Sequence, residues 1–114
     1  MINDGLKMTG AVAIALNGEV VQEIPNLVVT AGKGYVASRM KDATATAMSH
    51  MAIGTNNTTA AVTQTALSAE VTRGALTSTT VSTNTIAYVE TFAAGTGTGA
   101  IVEAGVFNAS SGGT

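Results

Sequence analysis

Apolar and polar positions alternate with a period of two over much of this 114-residue chain. That period is the signature of strands buried on one side. In Met8–Leu16, the residues Met8, Val12, Ile14 and Leu16 fall on one face, and Thr9, Ala11, Ala13 and Ala15 on the other. A face of such small residues predicts close packing against another backbone rather than open water. Asn17-Gly18 follows, a strong hairpin signal. A tight two-residue loop would set Leu16 opposite Glu19 and Val12 opposite Glu23, with carboxylates on the apolar face. One extra residue sets Leu16 opposite Val20 and Val12 opposite Ile24, so the pattern predicts a bulged turn. Pro25 has no amide hydrogen to give to a ladder and ends or edges the second strand.

Asn26–Val29 reads as a short extended piece. Thr30 is placed to cap a helix over Ala31–Lys41, with Lys33, Arg39 and Lys41 outward and Val36 and Met40 stacked four residues apart. Gly32 and Gly34 each cost such a helix about 1 kcal/mol relative to alanine, so its apolar face is expected to pack on a sheet. Asp42–Ala47 is a loop of small residues, and Met48–Ile53 reads as a strand ending at Gly54. Thr55–Ala66 is polar or small throughout, long for a connection in a compact domain, and such loops tend to be functional or disordered. From Leu67 to Val81 the β-branched content favours an extended chain, and Ser82-Thr83-Asn84 turns it.

Two further strands, Ile86–Phe92 and Ile101–Phe107, are joined by a glycine-studded connection. Together they hold both phenylalanines and one of the two tyrosines. Because aromatic side chains bury the most apolar area, the core is expected to gather around this pair as a hairpin. The sum is about seven strands and one helix. The expected fold is mainly β, an antiparallel, jelly-roll-like β-sandwich with a short helix near residues 31–41. It forms a single domain over residues 8–114, preceded by an N-terminal arm, residues 1–7.

Composition changes the picture in one respect. Only 11% of residues are charged, where a quarter is usual, and a Thr, Ser, Asn, Ala and Gly surface is not what keeps a small monomer soluble. The chain is therefore expected to be completed by neighbours, as an oligomer or a lattice. A net charge of −2 supplies no long-range field for nucleic acid, and the absence of cysteine excludes disulfides and thiolate metal sites. The longest apolar run, Ala11–Leu16, is far short of the roughly 20 residues of a membrane helix. No nucleic-acid or membrane partner is expected, and the protein is expected to be made in the cytoplasm.

Reactive groups do not converge. His50 is the sole histidine and lacks acids at ligand spacing, so no metal is expected. Gly95-Thr-Gly-Thr-Gly99 lacks the Lys-Ser/Thr pair of a phosphate loop and precedes a strand-like segment, which makes it a turn. Ser38-Arg-Met-Lys41 has the S-x-x-K spacing of penicillin-recognising enzymes without their other motifs. Glu90 and Glu103 would face one another across the Phe92 hairpin, as a glycosidase pair does, but no tryptophan offers a sugar platform. Glu70 and Arg73 fall on opposite faces of an extended segment. The reading is non-enzymatic, with no catalytic residues, no cofactor and no metal.

Several segments carry a likeness. Met48-Ser-His-Met-Ala-Ile-Gly-Thr55, Thr63-Gln-Thr-Ala-Leu67, Glu70-Val71 and Arg73 resemble a family of small tailed-phage virion proteins. The same holds for Tyr88-Val-Glu-Thr-Phe92, Gly97-Thr-Gly99 and Glu103-Ala-Gly-Val-Phe107-Asn108, and for Asn26-Leu-Val-Val-Thr30 with the helix through Met40. The resemblance spans roughly residues 20–114 and is nearest to the capsid decoration (cement or staple) proteins of short-tailed double-stranded DNA phages. It implies a β-sandwich or jelly roll on the outer capsid surface of the virion, bridging major capsid protein subunits and pairing with itself as a dimer or a trimer. Tail, neck or tail-fibre modules are the alternative it leaves open, and a small carbohydrate-binding β-domain is a second. Family members continue past Gly-Gly-Thr with further strands, which implies a truncated sequence or a sheet closed by a neighbour's strand.

Three segments lack packing partners of their own in the sequence pattern and are the expected contact regions. They are the arm (Met1, Ile2, Asn3, Asp4, Gly5, Leu6, Lys7), the long loop (Thr55, Asn56, Asn57, Thr58, Thr59) and the tail (Ser110, Ser111, Gly112, Gly113, Thr114).

Overall fold

A computed structural model of the chain describes residues 7–113. In order, the elements are β1 (Gly10–Leu16), β2 (Glu19–Asn26), α1 (Thr30–Lys41), β3 (His50–Gly54), β4 (Glu70–Ala75), β5 (Ser78–Ser82), β6 (Thr85–Val89) and β7 (Glu103–Phe107). All pairings are antiparallel. The fold is mainly β and β-sandwich-like with one short helix, in agreement with the sequence pattern. The strands divide into three small sheets, a β1–β2 hairpin, a β4–β3–β7 sheet and a β5–β6 hairpin.

The core lies on the three-stranded sheet. β3 is its centre, with Ala52 between Arg73 of β4 and Gly105 of β7. Ala52 is fully buried and Phe107 nearly so, and they are the only buried apolar side chains among the described residues. One face carries Ala52, Arg73, Gly105 and Phe107. Leu67 and the Phe107 ring lie over Gly105, 3.3 and 3.1 Å from where a β-carbon would stand. The opposite face carries Ile53 and Thr72, and the segment through Gly97 crosses it. A β-carbon at Gly97 would meet Ile53 Cδ1 at 2.6 Å, so only glycine allows this approach.

The expected Ile86–Phe92/Ile101–Phe107 hairpin does not form. β6 pairs with β5 through the two-residue Thr83-Asn84 turn, and β7 pairs with β3. Closing a two-residue turn costs less chain entropy than closing the connection over residues 90–102. β7 instead supplies the second flank of β3, where Phe107 is buried. The glycines of Gly95–Gly99 therefore lie in a crossover between sheets and not at a hairpin tip. Leu67–Val81 likewise divides into β4 and β5, which belong to different sheets.

The bulge expected at Asn17-Gly18 is displaced into the ladder. Asn17 and Gly18 have φ of 52° and 84°, the two positive values of a tight I′ turn, so Leu16 pairs with Glu19. The register shifts between Ile14 and Ala15, where Val21 is left without a partner, and Val12 then pairs with Ile24 as the apolar pattern requires. The Ala11, Ala13 and Ala15 face is exposed and not packed against another backbone of the chain.

Helix α1 differs from expectation at both its start and its face. Thr30 lies within the helix, Val29 is the cap residue, and no side-chain cap bond forms. The Thr30 amide donates to Val62 O at 2.8 Å. No helix residue is buried, and no strand packs along it. Hydrogen bonds from its middle and its last turn hold it instead: Met48 N donates to Tyr35 Oη at 3.1 Å, and Arg39 Nη1 to Ala45 O at 3.0 Å.

Candidate functional site

Arg73 is the most fully partnered side chain of the described chain. Its side chain is 7% exposed. Nε and Nη2 donate to the two carboxylate oxygens of Glu70 at 3.1 and 2.7 Å, the bidentate geometry suited to a guanidinium. Nη1 donates to Ala109 O at 3.0 Å and Gly112 O at 2.8 Å, and the group stacks on Phe107 at 3.9 Å from the ring centroid. Strict alternation would set Glu70 and Arg73 on opposite faces. The register shift between Ile53 and Gly54 leaves Val71 unpaired and brings them to the same side.

This anchor changes the reading of the tail. Ser110, Ser111, Gly112 and Gly113 are exposed, yet the carbonyls of Ala109 and Gly112 on either side of the serines are bonded to the sheet. The tail is tied to β4 and is not without partners. The long loop is exposed at Thr55, Asn57, Thr58 and Thr59 and half-buried at Asn56, whose Oδ1 accepts the Thr58 amide at 2.7 Å. It too is fixed, through Thr55 N to Ala69 O and through the Val62 carbonyl beneath the helix. Of the predicted arm, Met1–Leu6 lie outside the described residues, as does Thr114, and Lys7 is exposed.

Larger apolar surfaces lie where the sequence reading did not put contacts. On the β1–β2 hairpin, Leu16 is 65% and Val20 64% exposed, and Ile14, Val21 and Ile24 are exposed as well. On the β5–β6 hairpin, Val81 and Ile86 are cross-strand partners, both exposed. Met40 on α1 is 75% exposed. Alternation was the available signal for these faces, but it marks an apolar side without saying whether the same chain covers it.

The polar groups considered for chemistry are apart. His50 Nδ1 shares a 2.7 Å hydrogen bond with Ser49 Oγ. Glu103 accepts the Ala69 amide at 3.1 Å, whereas Glu90 accepts Thr77 Oγ1 and the Thr91 amide. The two carboxylates thus serve different segments and do not face one another. Ser38 Oγ bonds to Thr44 Oγ1 and not to Lys41. Among the described residues, no group of three or more His, Asp or Glu side chains is placed to hold a metal ion, and no helix is long and apolar enough to cross a membrane. A shallow dish of about 290 Å³ lined by Phe92–Ala94, Gly95 and Gly97–Gly99 carries no ionisable side chain.

No family model matches the chain, and no curated protein or solved structure is significantly similar to it.

Proposed function

We propose that this chain is a non-enzymatic structural protein of a phage particle, which decorates the outer capsid surface and cements it by bridging major capsid subunits. The observation that carries this reading is the imbalance between a small core and large apolar hairpin faces turned to solvent. Surfaces of that kind gain free energy only when something covers them. The resemblance of residues 20–114 to cement proteins names the cover as a capsid, with the protein made in the host cytoplasm and ending on the virion.

The mechanism is linkage. A ligand that binds only the assembled shell stabilises it by about 2.7 kcal/mol per site at a hundredfold excess over Kd. The test uses shells of the phage that encodes the chain. The protein is expected to sediment with assembled shells, to raise their disruption temperature, and to ignore free major capsid subunits. Removing residues 1–7 is expected to weaken binding to shells. Equal binding to free subunits, or no thermal shift of the shells, would overturn the reading. A stable trimer that binds cell-surface glycan would replace it with a tail-fibre module.

A further inference from the structure

The charges left over by the fold are sorted by place. Glu70, Glu90 and Glu103 are engaged in hydrogen bonds or an ion pair, and Asp42 pairs with Lys41. Among the described residues, the carboxylates with no partner are Glu19 and Glu23, both on β2. Arg73 is bonded as described and Arg39 holds Ala45 O, which leaves Lys7 and Lys33 as the cations without a partner. Lys33 lines a groove of about 240 Å³ with Met8, Val36, Ala37 and Met40, and Lys7 adjoins it through Met8.

Within one chain Glu19 is separated from these cations, while Glu23, opposite Ala13, lies on the other face of the hairpin. The groove touches Met8 at the foot of the hairpin, while Glu19 sits at its tip. At about 3.4 Å per residue, β1 carries the tip roughly 20 Å from Gly10. The molecule is accordingly long, 53 × 28 × 24 Å, with a radius of gyration of 14.8 Å against about 13 Å for a compact chain of this length.

We infer that the β1–β2 hairpin of one copy lies along the α1 groove of a second copy, reciprocally about a two-fold axis. Ile14, Leu16 and Ile24 then meet Val36, Ala37 and Met40, and Glu19, on the same face as Leu16, meets Lys33 with Lys7 beside it. An antiparallel arrangement of two copies sets each tip beside the other's foot, as an isologous interface requires. Area favours a second copy as the occupant. The accessible surface is 8089 Å², against about 5,700 Å² for a compact monomer of this mass. The surplus exceeds the roughly 800 Å² per partner of a standard interface.

The inference deepens the proposed function by naming how the protein pairs with itself, yet its test needs no shells, so the two stand or fall separately. Full-length protein is examined by sedimentation equilibrium between about 1 and 100 μM, with far-ultraviolet circular dichroism as a check that each variant folds. The parent is expected to be a dimer that weakens at 0.5 M salt, since exposed pairs are screened there. The Glu19→Lys variant and the Lys33→Glu variant are each expected to raise the dissociation constant at least about tenfold, each change occurring twice in the symmetric pair, and the two combined to restore it. A monomeric parent, an unchanged constant in either charge-reversed variant, or a folded combined variant that fails to re-associate would overturn the inference.

Discussion

Arg73 joins β4, β7 and the tail through one planar group, which makes its replacement informative. Alanine removes the pair with Glu70, two hydrogen bonds to tail carbonyls and the stacking on Phe107. The Glu70 carboxylate, 32% exposed, is then left half-buried without its partner. The expected loss is about 2–4 kcal/mol, read as a lower urea midpoint. Arg73→Lys keeps the charge without the fork and is expected to recover less than half of it. Tyr88 gives a second prediction at this scale. Burial, and then the neighbouring Tyr35 phenol, raise its hydroxyl above the ordinary value. A group whose folded pKa is raised contributes full stability below the unfolded value, near pH 10, and loses it as pH rises through the folded value. Unfolding followed from pH 8 to 11 is expected to show that decline in the parent, and a smaller one in Tyr88→Phe.

At the scale of elements, individual strands were legible in the sequence and their partners were not. Alternation located β1, β2, β3 and β7 to within a few residues, because it depends only on neighbours along the chain. Asn17-Gly18 also gave the partner of β1, since a two-residue turn admits only one. β6 was expected to pair with β7, and the shorter Thr83-Asn84 turn joins it to β5 instead. The Glu70–Arg73 pair was hidden by a single unpaired residue, Val71, that no local pattern announces. Helix α1 was located by its spacing, but its apolar residues face no strand, so a rule that requires burial misjudged its surroundings. The bulge at Val21 supplies the prediction at this scale. Deleting Val21 removes the extra residue and joins Ala15/Val20 to Ile14/Gln22 in one regular ladder, with Val12 still opposite Ile24. Cross-strand nuclear Overhauser contacts between Val12 and Ile24 are expected to be kept in this variant, and their replacement by Val12/Glu23 contacts would show that the extra residue is not Val21.

For the whole molecule, the sequence pointed rightly to a mainly β chain with one short helix. It did not show which faces stay bare, since that depends on how three small sheets are set beside one another. The predicted contact segments at Thr55–Thr59 and Ser110–Gly113 turned out to be held by the chain itself, through Ala69 and Arg73, while Leu16, Val20 and Val81 stand open. The order of strands in the central sheet has a further consequence for biosynthesis. β1 and β2 contribute nothing to that sheet, and β3 waits about 50 residues for β7 to reach it. The nascent polypeptide therefore pairs β3 with β4 first and carries its other edge open over that stretch of synthesis, and the small residues Ala52 and Gly54 of β3 lower the risk of clumping before the last flank arrives.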